Sequence, residues 1–202
     1  MRPVLFCACS PYTVSMTKRD DDHIGAPAQT ESIVLGGGCF WCLEAAYQLI
    51  KGVTSVLPGY AGGHLPNPTY EQVAGQTTGH AEVVRVEFDP GVTSLAGILD
   101  VFWTIHNPTT LNRQGADIGP EYRSIILYGS EAQRRTAEAS RTAAQANWDD
   151  PIVTEVKPLE RFYEAEPEHR DYYRKRPNQA YCQIVINPKL AKLRAKFDIL
   201  PS

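Results

Sequence analysis

The chain has 202 residues, 43% hydrophobic and 21% charged, proportions typical of a soluble globular protein with a single core. A net charge of −3 gives no reason to expect nucleic acid or an anionic membrane as a partner, and no apolar run approaches the roughly 18 residues of a membrane-spanning helix. Five cysteines with irregular spacing do not resemble a secreted disulfide framework and favour a reducing, cytoplasmic environment.

The first 32 residues are poorly patterned, and we expect them to be a mobile extension ahead of one domain that spans residues 33–202. The apolar run Val4 to Cys9 is too short for a convincing signal sequence, and its cysteines are not expected to be catalytic. The acidic run Asp20 to Asp22 argues against a transit peptide. Targeting of the chain by this extension to secretion or to an organelle stays open.

The stretch from Ile33 to Ile50, IVLGGGCFWCLEAAYQLI, organises the rest of the chain. It predicts the end of a buried strand, a sharp turn at three glycines and then an amphipathic helix. The apolar stripe of that helix consists of Phe40, Leu43, Tyr47 and Ile50. Cys39 therefore falls at a helix N-terminus, where free amides and the helix dipole are expected to lower the pKa of a thiol from its usual value of roughly 8.5.

Other interpretations of this stretch compete with a reactive thiol. On residue type alone, a cysteine between glycines and aromatic residues is most often a small buried hydrophobe. Cys39 and Cys42 also spell C-x-x-C, which suggests a dithiol redox pair or half of a zinc site, but no second C-x-x-C follows to complete a zinc site. A phosphate-binding loop is disfavoured because aromatic residues fill the place that a phosphate would take.

Further elements follow this helix. A second strand is expected from Gly52 to Tyr60, then a long loop rich in glycine and proline, GYAGGHLPNPTYEQV. In the next strand, GHAEVVRVEFDP, Glu82 has the same parity as Val84 and so points to the apolar side. Glu82 there either pairs with a cation or keeps its proton because desolvation raises its pKa, unless it is splayed into solvent at the strand end.

The pattern continues with a helix capped by Ser94, whose apolar stripe ends at Ile105, and with a second long polar loop from His106 to Ser124. Strands are predicted at 124–128 and 152–156. The alternation of helices with short strands predicts an α/β sandwich.

Two more segments complete the chain. A helix with a solvated, charged face is expected at 130–147. Near the end, Cys182 follows Tyr181 in a segment predicted to be a loop that can swing, ahead of a basic amphipathic tail.

Several motifs, in the same order, resemble the A-type peptide methionine sulfoxide reductases: GGGCFWC, GYAGG, NPTYEQV, GHAEVV, HNPTTLNRQGADIGPEYRS and the tyrosine–cysteine pair near the end. The resemblance runs from about Ile33 to beyond Cys182. It implies a thiol-dependent enzyme that reduces the S epimer of methionine sulfoxide, in proteins and peptides and as the free amino acid. The implied fold is a two-layer α+β sandwich with a ferredoxin-like mixed sheet and flanking helices.

The resemblance also implies how the reaction is divided among side chains. Cys39 would attack the sulfoxide sulfur, since a thiolate is a good nucleophile for sulfur. Glu82, kept neutral by the apolar side of its strand, would protonate the departing oxygen. Tyr70 and Tyr122, which are neutral donors at pH 7, would hold that oxygen, and Asp117 would help to order the site.

Binding and recycling involve a second set of residues. Phe40 and Trp41 would form an aromatic wall for the sulfur-bound methyl group. A second thiol would convert the sulfenic acid on the enzyme to a disulfide, which thioredoxin would reduce. Proximity favours Cys42 as that thiol and the resemblance favours Cys182, so either one, or a relay through both, stays open. No metal or organic cofactor is needed, and a monomer is expected.

The chain departs from the family pattern in three places. Cys42 stands where many members have glycine, Asn107 stands where aspartate commonly follows His106, and a further cysteine found in some members is absent. Any ionic role at position 107 is therefore in doubt.

Two other functions remain as alternatives. A thioredoxin-like dithiol oxidoreductase would use Cys39 and Cys42 alone and leave Glu82 unexplained, and a non-catalytic redox sensor would only capture oxidised methionine.

Overall fold

The computed structural model describes residues 30–200, in which one face of a six-stranded mixed sheet is covered by helices. The strands are β1 (Glu31–Gly36), β2 (Val53–Ala61), β3 (Ala81–Phe88), β4 (Arg113–Gln114), β5 (Asp117–Ile118), β6 (Ile125–Tyr128), β7 (Glu155–Pro158) and β8 (Phe162–Glu164). The helices are α1 (Phe40–Tyr47), α2 (Tyr70–Ala74), α3 (Leu95–Ile105), α4 (Glu131–Ala144), α5 (Tyr172–Lys175) and α6 (Asn187–Lys196).

The main sheet has the strand order β7-β6-β1-β3-β2-β8. Only β6 and β7 pair in parallel, and the other neighbours are antiparallel. Strands β4 and β5 form a separate two-stranded ribbon. The predicted two-layer sandwich with a mixed sheet and flanking helices is confirmed.

The main core lies between the sheet and the helices, and the alternation along β3 shows how the sequence builds it. Val84, Val86 and Phe88 are fully buried on the helix side, and their positions match the predicted apolar face. On the other face, Val83 belongs to a second, smaller apolar cluster. The predicted cap of α3 is also present, since Ser94 Oγ accepts a hydrogen bond from Gly97 N at 3.1 Å.

The segment after β2 is not entirely a loop as predicted, because α2 begins at Tyr70. Thr69 and Gln72 form a capping box: Thr69 Oγ1 accepts from Gln72 N, and the Gln72 side chain accepts from Thr69 N. This pair satisfies two backbone donors that would otherwise lack partners and so stabilises a five-residue helix. The prediction of an uninterrupted loop is therefore wrong.

The polar segment from His106 to Ser124 also contains regular structure that was not predicted. It holds the ribbon β4–β5 and a 3₁₀ turn at Pro120–Tyr122. Asn112 has a φ of 49° and Gly115 a φ of 63°, which let the backbone reverse within a few residues.

One strand and one helix have ends that differ from the predicted ones. The strand predicted at 152–156 lies at Glu155–Pro158, because Ile152 N and Val153 N bond to Gln145 Oε1 and Pro108 O instead. Ile50 lies beyond α1, in an isolated bridge to Ile199.

The chain termini differ from the predictions as well. Cys182 is in a π-helical turn, Cys182–Ile186, that leads into α6, and not in a swinging loop. This turn is held in place because Cys182 and Ile186 are fully buried in the core. Strand β1 begins at Glu31, two residues before the predicted domain boundary, while residues 1–29 lie outside the described residues. No helix within residues 30–200 is long and apolar enough to cross a membrane.

Candidate active site

Cys39 stands where β1 has ended and α1 begins, as the sequence predicts. It is the N-cap residue of α1 and is 6% exposed. The preceding Gly38 has a φ of 91°, and a Cβ there would lie 2.6 Å from the Gln114 side chain. Only glycine fits this close approach, which brings the turn and the β4–β5 ribbon together around Cys39.

Glu82, at the start of β3, meets α1 at its first residue. Its Oε2 accepts a hydrogen bond from Phe40 N at 3.0 Å, and the residue is only 3% exposed. Burial raises the pKa of this carboxyl to about 8, with the charges of Asp117 and Glu121 acting in the same direction. The Phe40 bond lowers the pKa but does not offset burial. Burial thus favours the protonated form of Glu82 at pH 7, and the solvent-splayed alternative is wrong.

The expected lowering of the Cys39 pKa is wrong. Burial raises the pKa of this thiol well above its ordinary value, and the charges of Glu82 and Cys42 raise it further. In addition, one of the free amides at the start of α1, the Phe40 N–H, is bonded to Glu82 Oε2 and is not available to a thiolate.

The lower pKa belongs to the neighbouring thiol. A hydrogen bond from Cys39 lowers the pKa of Cys42 to about 6, and the positive charge of Lys189 acts in the same direction. The two opposite shifts favour Cys42 over Cys39 as the thiolate of the pair.

The site residues line one small cavity of about 50 Å³. Its walls are Cys39, Phe40, Trp41, Tyr70, Glu82, Asp117, Tyr122 and Tyr181. Every predicted catalytic and substrate-binding residue is in this set, although they come from segments far apart in sequence. A cavity of this size admits the end of one side chain and not a whole ligand. The largest cavity described, about 860 Å³ between Gly62 and Tyr163, contains no cysteine and does not compete as a site for thiol chemistry.

The two phenols predicted to hold the substrate oxygen enter from separate elements. Tyr70 is the first residue of α2, and its backbone N–H donates to Glu166 Oε1 at 2.8 Å. Tyr122 ends the 3₁₀ turn at Pro120–Tyr122. Burial raises the pKa of both phenols, and the nearby charge of Glu82 adds to this, so both remain hydrogen-bond donors at neutral pH.

The aromatic wall extends beyond the two predicted residues. Trp41 stacks on Tyr172 with ring centroids 3.7 Å apart and an angle of 8°, and Tyr181 meets it edge-on at 5.8 Å. Phe40 is fully buried behind the wall, 5.2 Å from the ring of His169. No sequence pattern indicated the place of Tyr172 in the wall.

Tyr181 is a site residue that sequence reasoning noted only as the neighbour of Cys182. Its hydroxyl donates to Asp117 Oδ2 at 2.9 Å and lies 3.9 Å from Cys42 Sγ. The phenol thus connects the cavity wall to the second thiol. The third described thiol, Cys182, is reduced and fully buried, and burial raises its pKa.

Asn107 lies in a turn and not in the cavity. Its Oδ1 accepts hydrogen bonds from Thr109 N at 2.9 Å and Thr109 Oγ1 at 2.8 Å, an acceptor role that aspartate would also fill. The adjacent His106 is buried, and burial lowers its pKa to about 3, so it is neutral and bonds Ser124 Oγ at 2.8 Å. The asparagine is therefore compatible with an intact site.

These side chains surround a thiol with a proton donor and two neutral oxygen-binding groups in a cavity too small for an organic cofactor. That arrangement defines a thiol-dependent reductase acting on the oxidised end of a side chain. The family model for peptide methionine sulfoxide reductase matches residues 31–199. The chain belongs to this family of enzymes.

Similarity to individual proteins supports the same family assignment. The chain is 54% identical to a peptide methionine sulfoxide reductase MsrA of Saccharolobus solfataricus, over 83% of this chain and 94% of the relative. It is similar in structure to reduced Mxr1 of Saccharomyces cerevisiae, with a TM-score of 0.73 and 35% identity over 78% of this chain and 91% of the other. Mxr1 in complex with Trx2 matches with a TM-score of 0.53 and 28% identity, over 73% and 87% of the two chains.

Proposed function

We propose that this chain reduces the S epimer of methionine sulfoxide, in oxidised proteins and peptides and as the free amino acid, with thioredoxin as the reductant. The observation that carries the proposal is the meeting of Cys39 and a protonated Glu82 in one 50 Å³ cavity. A sulfoxide needs both a sulfur nucleophile and an acid, because an unprotonated oxide is a very poor leaving group.

The reaction begins at the thiol pair. Cys39 passes its proton to the Cys42 thiolate, to which it is hydrogen-bonded, and becomes the nucleophile. The Cys39 sulfur then attacks the sulfoxide sulfur while Glu82 protonates the oxygen, which Tyr70 and Tyr122 hold. The attack forms a bond between the two sulfur atoms. The hydroxyl then moves from the substrate sulfur to Cys39 as this S–S bond breaks, which releases methionine and leaves Cys39 oxidised by two electrons, as a sulfenic acid.

The recycling step uses the remaining thiols. We infer that Cys182 is required for thioredoxin-coupled turnover and that Cys42 contributes, for example in a relay. A thiol attacks the sulfenic sulfur, an S–S bond forms and water leaves, and thioredoxin then reduces the disulfide by exchange. The complex of Mxr1 with Trx2 supports such a partner. Because Cys182 is fully buried, its π-helical turn must open before thioredoxin can reach a disulfide at this residue.

The alternatives explain less of the site. A dithiol oxidoreductase needs only Cys39 and Cys42, and a sensor needs no proton donor, so neither gives a role to a buried Glu82 with a raised pKa.

We further propose that the protein acts in the cytoplasm as a monomer.

The test is a stereochemical assay on both sulfoxide epimers of a blocked methionine, with a chemical dithiol and then with thioredoxin. We expect multiple turnovers with the S epimer and none with the R epimer. Reduction of model disulfides without sulfoxide reduction would establish the oxidoreductase instead, and a single binding event without turnover would establish the sensor.

A further inference from the structure

Helix α1 carries a buried carboxyl group that the reaction does not use. Glu44 is 1% exposed, and it accepts hydrogen bonds from Asp171 N at 2.8 Å and Tyr172 N at 3.3 Å. Asp171 is the N-cap residue of α5, but its own side chain makes no capping hydrogen bond. Glu44 therefore supplies from α1 the cap that α5 lacks.

The same side of α1 holds this segment at three points. Trp41, Glu44 and Gln48 follow one another at spacings of three and four, so their side chains share one side of the helix. Gln48 Nε2 donates to Asp171 Oδ1 at 2.9 Å. One turn before Glu44, Trp41 stacks on the ring of Tyr172. Glu44 and Gln48 thus bond Asp171, the N-cap of α5, while Glu44 and Trp41 both contact Tyr172, its first residue.

The backbone at Asp171 depends on such contacts. Its φ of 53° places it in the left-handed region, which is uncommon for a residue with a side chain and persists only where neighbouring groups hold it. A relaxation of Asp171 would redirect the next residue, Tyr172, and remove its ring from Trp41.

We propose that Glu44 is a positioning residue for the methyl pocket: by fixing the backbone of Asp171 and Tyr172, it fixes the plane of Trp41 that faces the substrate. The inference rests on the proposed function, because the sulfur-bound methyl group of the substrate gives this wall its role. Glutamine in place of Glu44 presents an amide donor to one of the two backbone N–H groups, so one of the two bonds is lost.

The first test compares steady-state and single-turnover kinetics of Glu44→Gln with the wild type. We expect KM for methionine sulfoxide to rise about 2- to 12-fold, the factor that corresponds to losing one aromatic pair. The single-turnover rate at saturating substrate should stay within about twofold, because the reacting groups keep their places. Glu131→Gln is the matched control, since Glu131 lies on exposed α4 and bonds only Arg134. An unchanged KM in Glu44→Gln would overturn the proposal.

A double-mutant cycle tests whether Glu44 acts through the stacked ring. Tyr172→Leu removes that ring directly and should raise KM by a similar factor. When both substitutions are combined, KM should rise little further, because the two residues act on one contact. Fully multiplicative effects on KM would show that Glu44 does not act through Tyr172.

A third readout does not depend on activity. In a Trp103→Phe, Trp148→Phe background, Trp41 is the single tryptophan, and acrylamide should quench its emission more strongly in Glu44→Gln than in the background protein. Unchanged quenching would refute the positioning role, whereas a wild-type protein inactive on methionine sulfoxide would refute the proposed function. If Glu44→Gln does not fold, Gln48→Met removes only the bond to Asp171 Oδ1 and should change KM and quenching in the same direction. No change there would also refute the proposal.

Discussion

The carboxyl group of Glu82 keeps its proton because of where β3 begins. The strand alternation turns this side chain into the core, and the Phe40 N–H is the only hydrogen-bond donor that reaches it among the described residues. One backbone bond does not compensate for the loss of solvent, so the neutral form is favoured up to a pH of about 8. Elementary desolvation thus produces an acid catalyst from an ordinary glutamate.

Replacing Cys39 by serine should abolish sulfoxide reduction and leave the fold intact, because a hydroxyl fills the same space but does not attack sulfur. We expect residual turnover below a few per cent, a barrier increase of more than about 2–3 kcal/mol. The release of methionine in a single turnover and circular dichroism should be measured together, with Cys182→Ser as the matched control because it keeps the nucleophile. Activity of Cys39→Ser above that level would mean that another thiol is the nucleophile.

Replacing Glu82 by glutamine should slow sulfenic acid formation by about 10²–10⁴-fold, because an amide keeps the shape but transfers no proton. The wild-type rate should fall as the pH rises through about 8, where Glu82 loses its proton. Single-turnover rates measured against pH should show this decline in the wild type and not in the variant. Glu87→Gln, on the solvent side of β3, is the control. An unchanged rate in Glu82→Gln would leave Glu82 a purely structural residue.

At the scale of elements, the π-helical turn Cys182–Ile186 contains the thiol proposed for recycling, Cys182, and holds it in the core. Single π-helical turns are frequently found at functional sites. The turn places Tyr181 in the cavity and Cys182 in the core, so one backbone movement acts on both.

Cys182→Ser should stall multiple turnover with thioredoxin but still release one methionine per enzyme, since the first half-reaction needs only the thiol pair. The disulfide formed after one equivalent of substrate should be mapped by digestion without reduction. Cys42→Ser provides the comparison: because Cys42 accepts the proton of Cys39, this variant should also slow the first release of methionine, which Cys182→Ser should not. Wild-type turnover by Cys182→Ser, together with a Cys39–Cys42 bridge alone, would assign resolution to Cys42.

Local sequence patterns were sufficient to predict the elements that carry the nucleophile and the acid. They did not predict the contacts that these residues make with distant parts of the chain. The glycine turn and the parity of β3 place Cys39 and Glu82 from a few neighbouring residues. The raised pKa of Cys39 depends on contacts between β3 and α1, and the role of Glu44 depends on backbone groups more than 120 positions away. Such long-range contacts leave no periodic signal in the sequence. Resemblance supplied Tyr70, Tyr122 and Asp117, which spacing alone did not connect.

At the scale of the whole molecule, Glu82 makes stability depend on pH. Its pKa is about 8 when folded and about 4.5 when unfolded, so between these values the unfolded state binds fewer protons. The contribution of Glu82 to stability is therefore complete below pH 4.5 and declines towards pH 8, by at most about 1.4 kcal/mol per pH unit. Glu82→Gln removes this decline.

Urea unfolding across this range should show Glu82→Gln gaining stability relative to the wild type as pH rises. Glu44, whose pKa burial raises to about 7, is present in both proteins and cancels in the difference. A difference that does not vary with pH would mean that Glu82 is ionised in the folded enzyme.

The burial of Cys39 affects how readily the nucleophile of the enzyme is itself oxidised by hydrogen peroxide. A thiol reacts with hydrogen peroxide chiefly as its thiolate, and Cys39 holds its proton and is 6% exposed. Peroxide dissolved in the surrounding water therefore meets a poor target, whereas a methionine sulfoxide bound in the cavity meets a sulfur that is deprotonated as it attacks. The resting nucleophile is thus shielded from the oxidant that creates the enzyme's substrates until a bound sulfoxide is in place.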